Sequence, residues 1–169
     1  MKQLQPNEYA AYQMNYIRLV PEEDIVKGLI SQKEEMLHFF TSIPTFKQEY
    51  RYAPNKWTIK DIILHLIDAE RIFAYRALRI ARNDSTPLPG FEENDYAINA
   101  KANDRDFEHL LQEYSAVRNA TISLFEHFTD FELKKLGSAS NSSVSVRGIG
   151  YCILGHELHH KNSIVERYL

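Results

Sequence analysis

The chain has 169 residues, of which 44% are hydrophobic and 25% charged, with a formal net charge of −3. This length suits one domain with its own hydrophobic core, and we expect residues 1–169 to form a single domain. The 20 lysine and arginine residues are outnumbered by 23 acidic residues and form no cluster, so a nucleic-acid partner is not expected. The low counts of glycine and proline, 6 each, favour long helices.

A single cysteine, Cys152, excludes an internal disulfide and is typical of a reducing compartment. Its apolar neighbours Ile153 and Leu154 predict a buried structural thiol rather than a reactive one. Residues 1–20 are polar and rich in tyrosine, without the basic-then-apolar order of a signal peptide. Because no apolar run approaches the ~20 residues that span a bilayer, we expect a cytoplasmic protein with no membrane partner.

Hydrophobic residues recur at helical spacing in four segments, which predict an all-α four-helix bundle. The predicted helices cover about residues 21–43, 58–82, 103–128 and 145–168. The second opens with Thr58-Ile59-Lys60-Asp61, which resembles a capping box with Asp in place of Glu. A short helical turn is expected over residues 130–136, ended by Gly137, and a polar loop over residues 138–143.

A long connection over residues 83–103 separates the second and third predicted helices and contains Pro87, Pro89 and Gly90. Connections of this length often act as lids or pocket walls. The same segment also suits a crossover that joins two parallel helices of the bundle. The sequence leaves both interpretations open, and one segment can serve both.

The fourth predicted helix carries two apolar faces, one with Ile149 and Ile153 and the other with Tyr151 and Leu154. A helix at a protein surface needs only one apolar face. This pattern predicts either that the helix is central in the bundle or that one face meets a second subunit.

Three of the seven histidines form a candidate metal site. His156 and His160 are four residues apart, so a helix places both rings on one face, about one turn apart. They lie on the face that carries Ile149 and Ile153, where each neutral ring needs partners for its donor and its acceptor. His65 lies at the edge of the apolar stripe of the second helix and supplies a third nitrogen. Three nitrogens with open positions for water or substrate are typical of a catalytic site.

The sequence gives weaker indications for the roles of the other residues near the candidate site. A lone histidine near an apolar face is commonly a core residue, and this interpretation remains open for each ring. Asp61 and Asp68 lie one turn either side of His65 and are candidates to accept its other ring hydrogen. His159 projects about 100° from its neighbours and could lie at the rim of the site. The single tryptophan and the ten tyrosines are expected to serve packing.

A di-iron carboxylate site is a competing interpretation. Such bundles use Glu-x-x-His on two helices, and the chain offers Glu35-x-x-His38 and Glu157-x-x-His160. On a helical wheel, however, Glu35 and His38 lie outside the apolar face of the first helix. Half of the required ligands would then face solvent, and we disfavour this site.

Three segments resemble conserved blocks of the DinB/YfiT-like superfamily. They are residues 56–70 (KWTIKDIILHLIDAE), residues 89–96 (PGFEENDY) and residues 155–160 (GHELHH). The resemblance in order and spacing covers nearly the whole chain. It implies a four-helix bundle with a long crossover, often homodimeric, that holds a nickel or zinc ion on three histidines. At this chain's positions these are His65, His156 and His160.

Members of that superfamily include thiol-S-transferases that use bacillithiol, mycothiol or glutathione, and proteins that resemble metal-dependent hydrolases. The resemblance therefore implies a hydrolase or thiol-S-transferase with a small-molecule substrate and a divalent metal, together with a low-molecular-weight thiol in the case of a transferase. Such an ion would lower the pKa of a water molecule or a thiol. The alternative is a non-catalytic dimeric bundle whose metal is structural or adventitious. The sequence identifies no general acid or base.

Overall fold

The computed structural model describes residues 4–169, which contain seven α-helices and one two-stranded hairpin. The helices are α1 (Met14–Ile17), α2 (Ile25–Thr41), α3 (Ile59–Ala81), α4 (Glu93–Ala100), α5 (Phe107–Glu126), α6 (Asp130–Leu133) and α7 (Val146–Arg167). The strands are β1 (Leu136–Ala139) and β2 (Ser142–Ser145). The four long helices α2, α3, α5 and α7 form the predicted bundle.

Each long helix begins at a side chain that accepts a hydrogen bond from a backbone N–H of the first turn. These N-cap residues are Asp24, Thr58, Asp106 and Ser145. The capping box predicted at Thr58 is confirmed, because the Asp61 carboxylate accepts from the Thr58 N–H at 2.8 Å. The first long helix begins at Ile25 rather than Pro21, since Asp24 caps it. The third begins at Phe107, because residues 102–104 form a separate 3-10 turn.

Helices α3 and α5 run parallel. Near their starts, the Thr58 hydroxyl donates to Oδ1 of Asn103 at 2.9 Å. Near their ends, the Arg82 guanidinium lies over the ring of Phe128, 6.0 Å from its centroid. The long connection is therefore a crossover between parallel helices, as one of the two interpretations predicted. It is not irregular throughout, because it contains α4.

Helices α2 and α7 also run parallel to each other. Gln32 donates to the carbonyl of Leu154 at 3.0 Å, and one turn further on Lys161 forms an ion pair with Glu35. Helix α7 runs antiparallel to α3, because the Tyr168 hydroxyl beyond its end donates to the carbonyl of Trp57, just before α3 begins, at 2.8 Å. This arrangement brings the middle of α3 against the middle of α7.

The first half of α7 is central in the bundle. Tyr151, Ile153 and Leu154, which lie on different faces, are all buried. Helix α1 packs on one side of α7, while α2 and α3 cover others. Further along, Val165 is exposed. Of the two explanations for the double apolar face, a central position accounts for this first half. Within residues 4–169, every helix is too short or too polar to cross a lipid bilayer.

The hairpin β1–β2 differs from the polar loop predicted for residues 138–143, and that prediction is wrong for all but the two turn residues Ser140 and Asn141. Its two-residue turn consists of Ser140 (φ 50°) and Asn141 (φ 59°), both in the left-handed region that a type I′ turn needs. The pair lacks the Asn-Gly or Asp-Gly signal of such turns. Tertiary contacts stabilise it, since Leu88 of the crossover donates to the carbonyl of Ser138 and accepts from Ser140 N–H.

Candidate metal centre

Three imidazole rings converge between α3 and α7. Nε2 of His156 lies 3.1 Å from Nε2 of His65 and 3.1 Å from Nε2 of His160. The ligand nitrogens of all three rings lie within 4.8 Å of one another. The helical spacing that linked His156 to His160 and the antiparallel packing of α3 on α7 together produce this cluster. The structure thus brings together the three histidines that the sequence selected.

Hydrogen bonding within the cluster cannot satisfy all three rings. Nε2 of His156 has one site, either a hydrogen or a lone pair, yet two other ring nitrogens lie at hydrogen-bond distance from it. A shared cation removes this conflict, because each nitrogen then directs a lone pair at the ion. Two nitrogens at about 2.0–2.1 Å from one zinc ion are separated by about 2.9–3.4 Å, depending on the coordination angle. The two separations of 3.1 Å lie within that range, so the residues present fit a divalent ion.

Burial keeps these rings neutral at pH 7. It lowers the pKa of His65 from 6.5 to about 4 and that of His160 to about 3, with His65 and His159 as further charges acting on His160. Burial also lowers the pKa of His156 well below its usual value, and the nearby histidines add to the effect. A metal ligand must present a deprotonated nitrogen, and the site meets this requirement without a metal.

Aromatic side chains enclose the histidines. The Trp57 ring centroid lies 4.7 Å from that of His65 and 6.3 Å from that of His160, nearly parallel to the latter. Tyr16 of α1 packs edge-on against His156 at 5.3 Å. The sequence predicted that Trp57 and the tyrosines serve packing, but it did not indicate that Trp57 and Tyr16 pack against the histidine rings. No periodic signal placed Tyr16 near the site, because only the tertiary fold lays α1 across α7.

The cluster lines a pocket of about 300 Å³. The remaining wall comes from α1 and the 3-10 turn before it, from α3 and the segment before it, and from the crossover, the hairpin turn and α7. Its residues are Tyr12, Tyr16, Trp57, Ala69, Phe73, Arg76, Phe91, Glu93, Ser140, Cys152 and His159. The crossover thus serves as a pocket wall as well as a connection. The exposed His159 lies at the edge of the site, as its angle on the helix predicted.

The two candidate carboxylate partners of His65 have other contacts. Asp61 accepts from the backbone N–H of Thr58 and from Asn103 at 3.0 Å. Asp68 forms an ion pair with Arg71 at 3.6 Å. Among the described residues, neither carboxylate is hydrogen-bonded to the ring of His65. The Asp61 carboxylate caps the start of α3 and does not contact the ring of His65, one turn further along the helix.

The di-iron interpretation fails because its ligands are separated. Glu35 is exposed and pairs with Lys161, while His38 is exposed on α2. Glu157 lies on another face of α7 from His156 and pairs with the buried Arg118 at 3.0 Å. The Glu-x-x-His pairs therefore cannot meet at one ion.

Cys152 is a buried thiol at the wall of the same pocket. Burial raises its pKa to about 12, with the nearby charge of Arg76 opposing that shift. A thiol with so high a pKa stays protonated at neutral pH and is a poor nucleophile. The predicted structural role agrees with this environment.

The fold and the site define a four-helix bundle with a three-histidine cluster at a pocket between antiparallel helices. A family model of the DinB superfamily matches residues 29–164, so this chain belongs to the DinB superfamily. The match includes all three histidines of the cluster, His65, His156 and His160, and the whole crossover.

A solved structure shares this fold. It is YfiT from Bacillus subtilis, described as a probable metal-dependent hydrolase with an unusual four-helix bundle topology. The two superpose with a TM-score of 0.68 at 14% sequence identity, covering 98% of this chain and 91% of the other. A comparison with curated proteins finds no significant match.

Proposed function

We propose that this protein is a metal-dependent enzyme that holds one divalent ion, zinc or nickel, on Nε2 of His65, His156 and His160. The observation that carries the proposal is the convergence of three ring nitrogens whose mutual contacts cannot all be hydrogen bonds. Imidazole nitrogen is a preferred ligand of both metals.

The location of the cluster favours a catalytic role over a structural one. Structural zinc sites are closed by four protein ligands, whereas catalytic sites use three and leave a position for water or substrate. Among the described residues, only three metal-ligating side chains gather here, and all three line a pocket. A purely structural or adventitious ion, in a non-catalytic bundle, is the alternative that this arrangement disfavours.

The protein's own residues prepare the site for chemistry. Burial keeps the three rings deprotonated, and Trp57 and Phe73 limit the access of water to them. A divalent ion bound here supplies Lewis-acid activation that lowers the pKa of a water molecule or a thiol toward neutrality. Tyr16 fixes the orientation of His156 by an edge-on contact. The described residues offer no carboxylate hydrogen-bonded to the three rings.

Activated water would make the protein a hydrolase, and an activated low-molecular-weight thiol would make it a thiol-S-transferase. Both reactions need the same three ligands and a small-molecule substrate in the pocket. YfiT, which shares the fold, is described as a probable metal-dependent hydrolase. Both reactions can therefore be tested on the same metal-free and metal-loaded preparations of the protein.

The experiment uses protein made without a histidine tag, stripped with a chelator and reloaded with zinc or nickel. Ester hydrolysis is followed with p-nitrophenyl acetate, and thiol transfer with monochlorobimane plus glutathione, bacillithiol or mycothiol. We expect one of these activities to fall at least tenfold on stripping and to return on reloading. His156→Gln should abolish it, while His109→Gln, a change on the exposed face of α5, should not. Activity that survives both stripping and His156→Gln would contradict the proposal.

We also propose that the protein is a homodimer, on the resemblance of its sequence blocks to those of the superfamily. Sedimentation equilibrium should give about twice the monomer mass of 19.7 kDa. A monomer at micromolar concentrations would contradict this assembly and leave the metal site unaffected.

A further inference from the structure

Arg76 is a buried cation in the pocket wall that lacks an anionic partner. The residue is only 5% exposed. Three other arginines at or near the same helix, Arg71, Arg79 and Arg82, are more exposed, and each pairs with an Asp or Glu. Among the described residues, no carboxylate pairs with Arg76. Arg76 is thus the most buried of these four arginines and the one that has no acidic partner among the described residues.

Neutral groups hold the guanidinium in place. Its Nη2 donates to the carbonyl of Pro89 at 2.7 Å and to the Ser140 hydroxyl at 3.0 Å. These contacts join α3 to the crossover and to the turn of the hairpin. Nε and Nη1 of Arg76 have no acceptor among the described residues. Neither atom is fully buried, unlike Nη1 of Arg118, which is buried without a hydrogen-bond partner. They are therefore available to a group that enters the pocket.

A buried guanidinium stays charged, because an arginine does not give up its proton in proteins. Its burial is costly unless an opposite charge is near. Phe73 and Phe91 lie 5.9 Å and 6.0 Å from it, at the outer limit of a cation–π contact. Burial lowers the pKa of Arg76, with no carboxylate among the opposing causes. The environment is one in which an incoming anion would be bound strongly.

The position of Arg76 relative to the histidines limits the size of the ligand. The guanidinium carbon is 5.9 Å from the Phe73 ring, and that ring is 5.9 Å from the ring of His156. The two steps place the cation at most about 12 Å from His156. Between them the wall is aromatic, through Tyr12, Tyr16 and Phe73. A single cation in a pocket that also contains Glu93 suits one negative charge better than a phosphate dianion.

We propose that Arg76 is the substrate-binding residue for a carboxylate, and that the substrate is a small apolar or aromatic carboxylic acid or its derivative. The carboxylate would bind at Arg76, with the body of the molecule along Phe73 and its reacting group toward the histidines. This proposal rests on the proposed function for the identity of the pocket as the substrate site. The binding of the carboxylate itself needs no metal.

The test compares phenylacetate with phenylacetamide, a neutral molecule of similar shape. Binding is followed by NMR titration of metal-loaded protein and of chelator-treated protein. We expect phenylacetate to bind at least tenfold more tightly in both preparations. Arg76→Gln should remove that preference, whereas the surface variant Arg82→Gln should retain it. Arg76→Lys should retain part of it, because the charge remains but the paired donors are lost.

Equal affinities for the two probes in the wild-type protein would overturn the proposal without any variant. A preference that persists in folded Arg76→Gln would overturn it as well. A merely structural role for Arg76 would lower the melting temperature of the variant but would leave the ratio of the two affinities unchanged. Because the chelator-treated arm contains no metal, a protein that prefers the carboxylate there but never shows metal-dependent activity would refute the proposed function alone.

Discussion

His65 and His156 are 91 residues apart in the chain, yet their Nε2 atoms lie 3.1 Å from each other. One belongs to α3 and the other to α7, and these helices run in opposite directions. The cluster therefore depends on the register in which the two helices pack. A shift of one residue in this register would move a ring about 1.5 Å along its helix and turn it about 100° around the axis, so its nitrogen would no longer point at the other two. What fixes this register can be tested by substitution.

Arg118 stabilises the centre of the bundle. Its guanidinium is fully buried and pairs with Glu70 of α3 at 2.8 Å and with Glu157 of α7 at 3.0 Å. Arg118→Met would leave two buried carboxylates without their cation, a change that costs about 3–5 kcal/mol. We expect a loss of that size in the free energy of unfolding measured by urea denaturation.

Arg71→Met is the matched control for Arg118. Arg71 is half exposed and pairs with Glu113 at the surface, where an ion pair contributes about 0–1 kcal/mol. Losses of equal size in the two variants would show that the buried pairs stabilise the bundle no more than a surface ion pair does.

Gly155 permits the close approach of the N-terminal segment to α7. A Cβ atom at this position would lie 2.1 Å from the backbone oxygen of Tyr16 and 3.0 Å from the backbone nitrogen of Ile17. Gly155→Ala should force α1 away and destabilise the protein by about 1–3 kcal/mol. It should also change the environment of the neighbouring His156, on which Tyr16 packs. The measurements are the melting temperature and the chemical shifts of the histidine rings.

Gly90→Ala serves as the control for Gly155, because a Cβ at Gly90 meets only the Ser140 side chain at an ordinary 3.5 Å. The change at Gly90 should leave the melting temperature within about 2 °C of the wild-type value. If Gly155→Ala is equally silent, then α1 does not lie against α7 as described.

The metal-free protein should lose stability as the pH falls below 6.5. The pKa of His65 is about 4 in the folded protein and near 6.5 when unfolded, so between these values only the unfolded chain takes up the proton. The stability is fully present above pH 6.5 and declines until about pH 4. At pH 5 the protonation of this ring in the unfolded chain lowers the free energy of unfolding by about 2 kcal/mol relative to its value at neutral pH.

Urea denaturation of chelator-treated protein at pH 7.5 and pH 5.0 measures this effect. His65→Gln should show a smaller loss between the two pH values than the wild-type protein. His127→Gln should behave like the wild type, since that ring is exposed. An identical loss in all three proteins would mean that His65 is not buried as a neutral ring.

The sequence was sufficient to predict the four long helices and the metal-ligand candidates because both depend on local periodicity, whereas the short helices α1 and α4 were not predicted. A spacing of four residues places His156 and His160 on one helix face whatever the rest of the chain does. The capping box at Thr58 is equally local, and it was found at the predicted residue. The boundaries of the long helices shifted by a few residues where the caps lay inside the predicted limits.

The pocket wall could not be predicted in the same way. Tyr16 reaches the site only through the packing of α1 against α7, and it carries no periodic signal. Arg76 lies about three turns after His65 on the same face of α3, but its guanidinium is held by the crossover and the hairpin turn, whose contacts no local pattern predicts. The Ser140-Asn141 turn depends on pairing with Leu88, 52 residues earlier than Ser140. For Asp61 the local spacing was misleading. It placed the carboxylate one turn from His65, but in the structure that carboxylate accepts a hydrogen bond from Thr58 N–H at the start of α3.

Metal stoichiometry tests the central claim most directly. Untagged protein is dialysed against zinc or nickel, freed of excess ion, and measured by inductively coupled plasma mass spectrometry, alongside His65→Ala, His156→Ala, His160→Ala and the control His109→Ala. We predict about one ion per chain in the wild-type protein and the control, and less than about one-tenth of an ion in each variant of the cluster, because two remaining imidazoles hold a divalent ion too weakly to survive the removal of excess metal. Unchanged metal content in folded His156→Ala would contradict the three-histidine site.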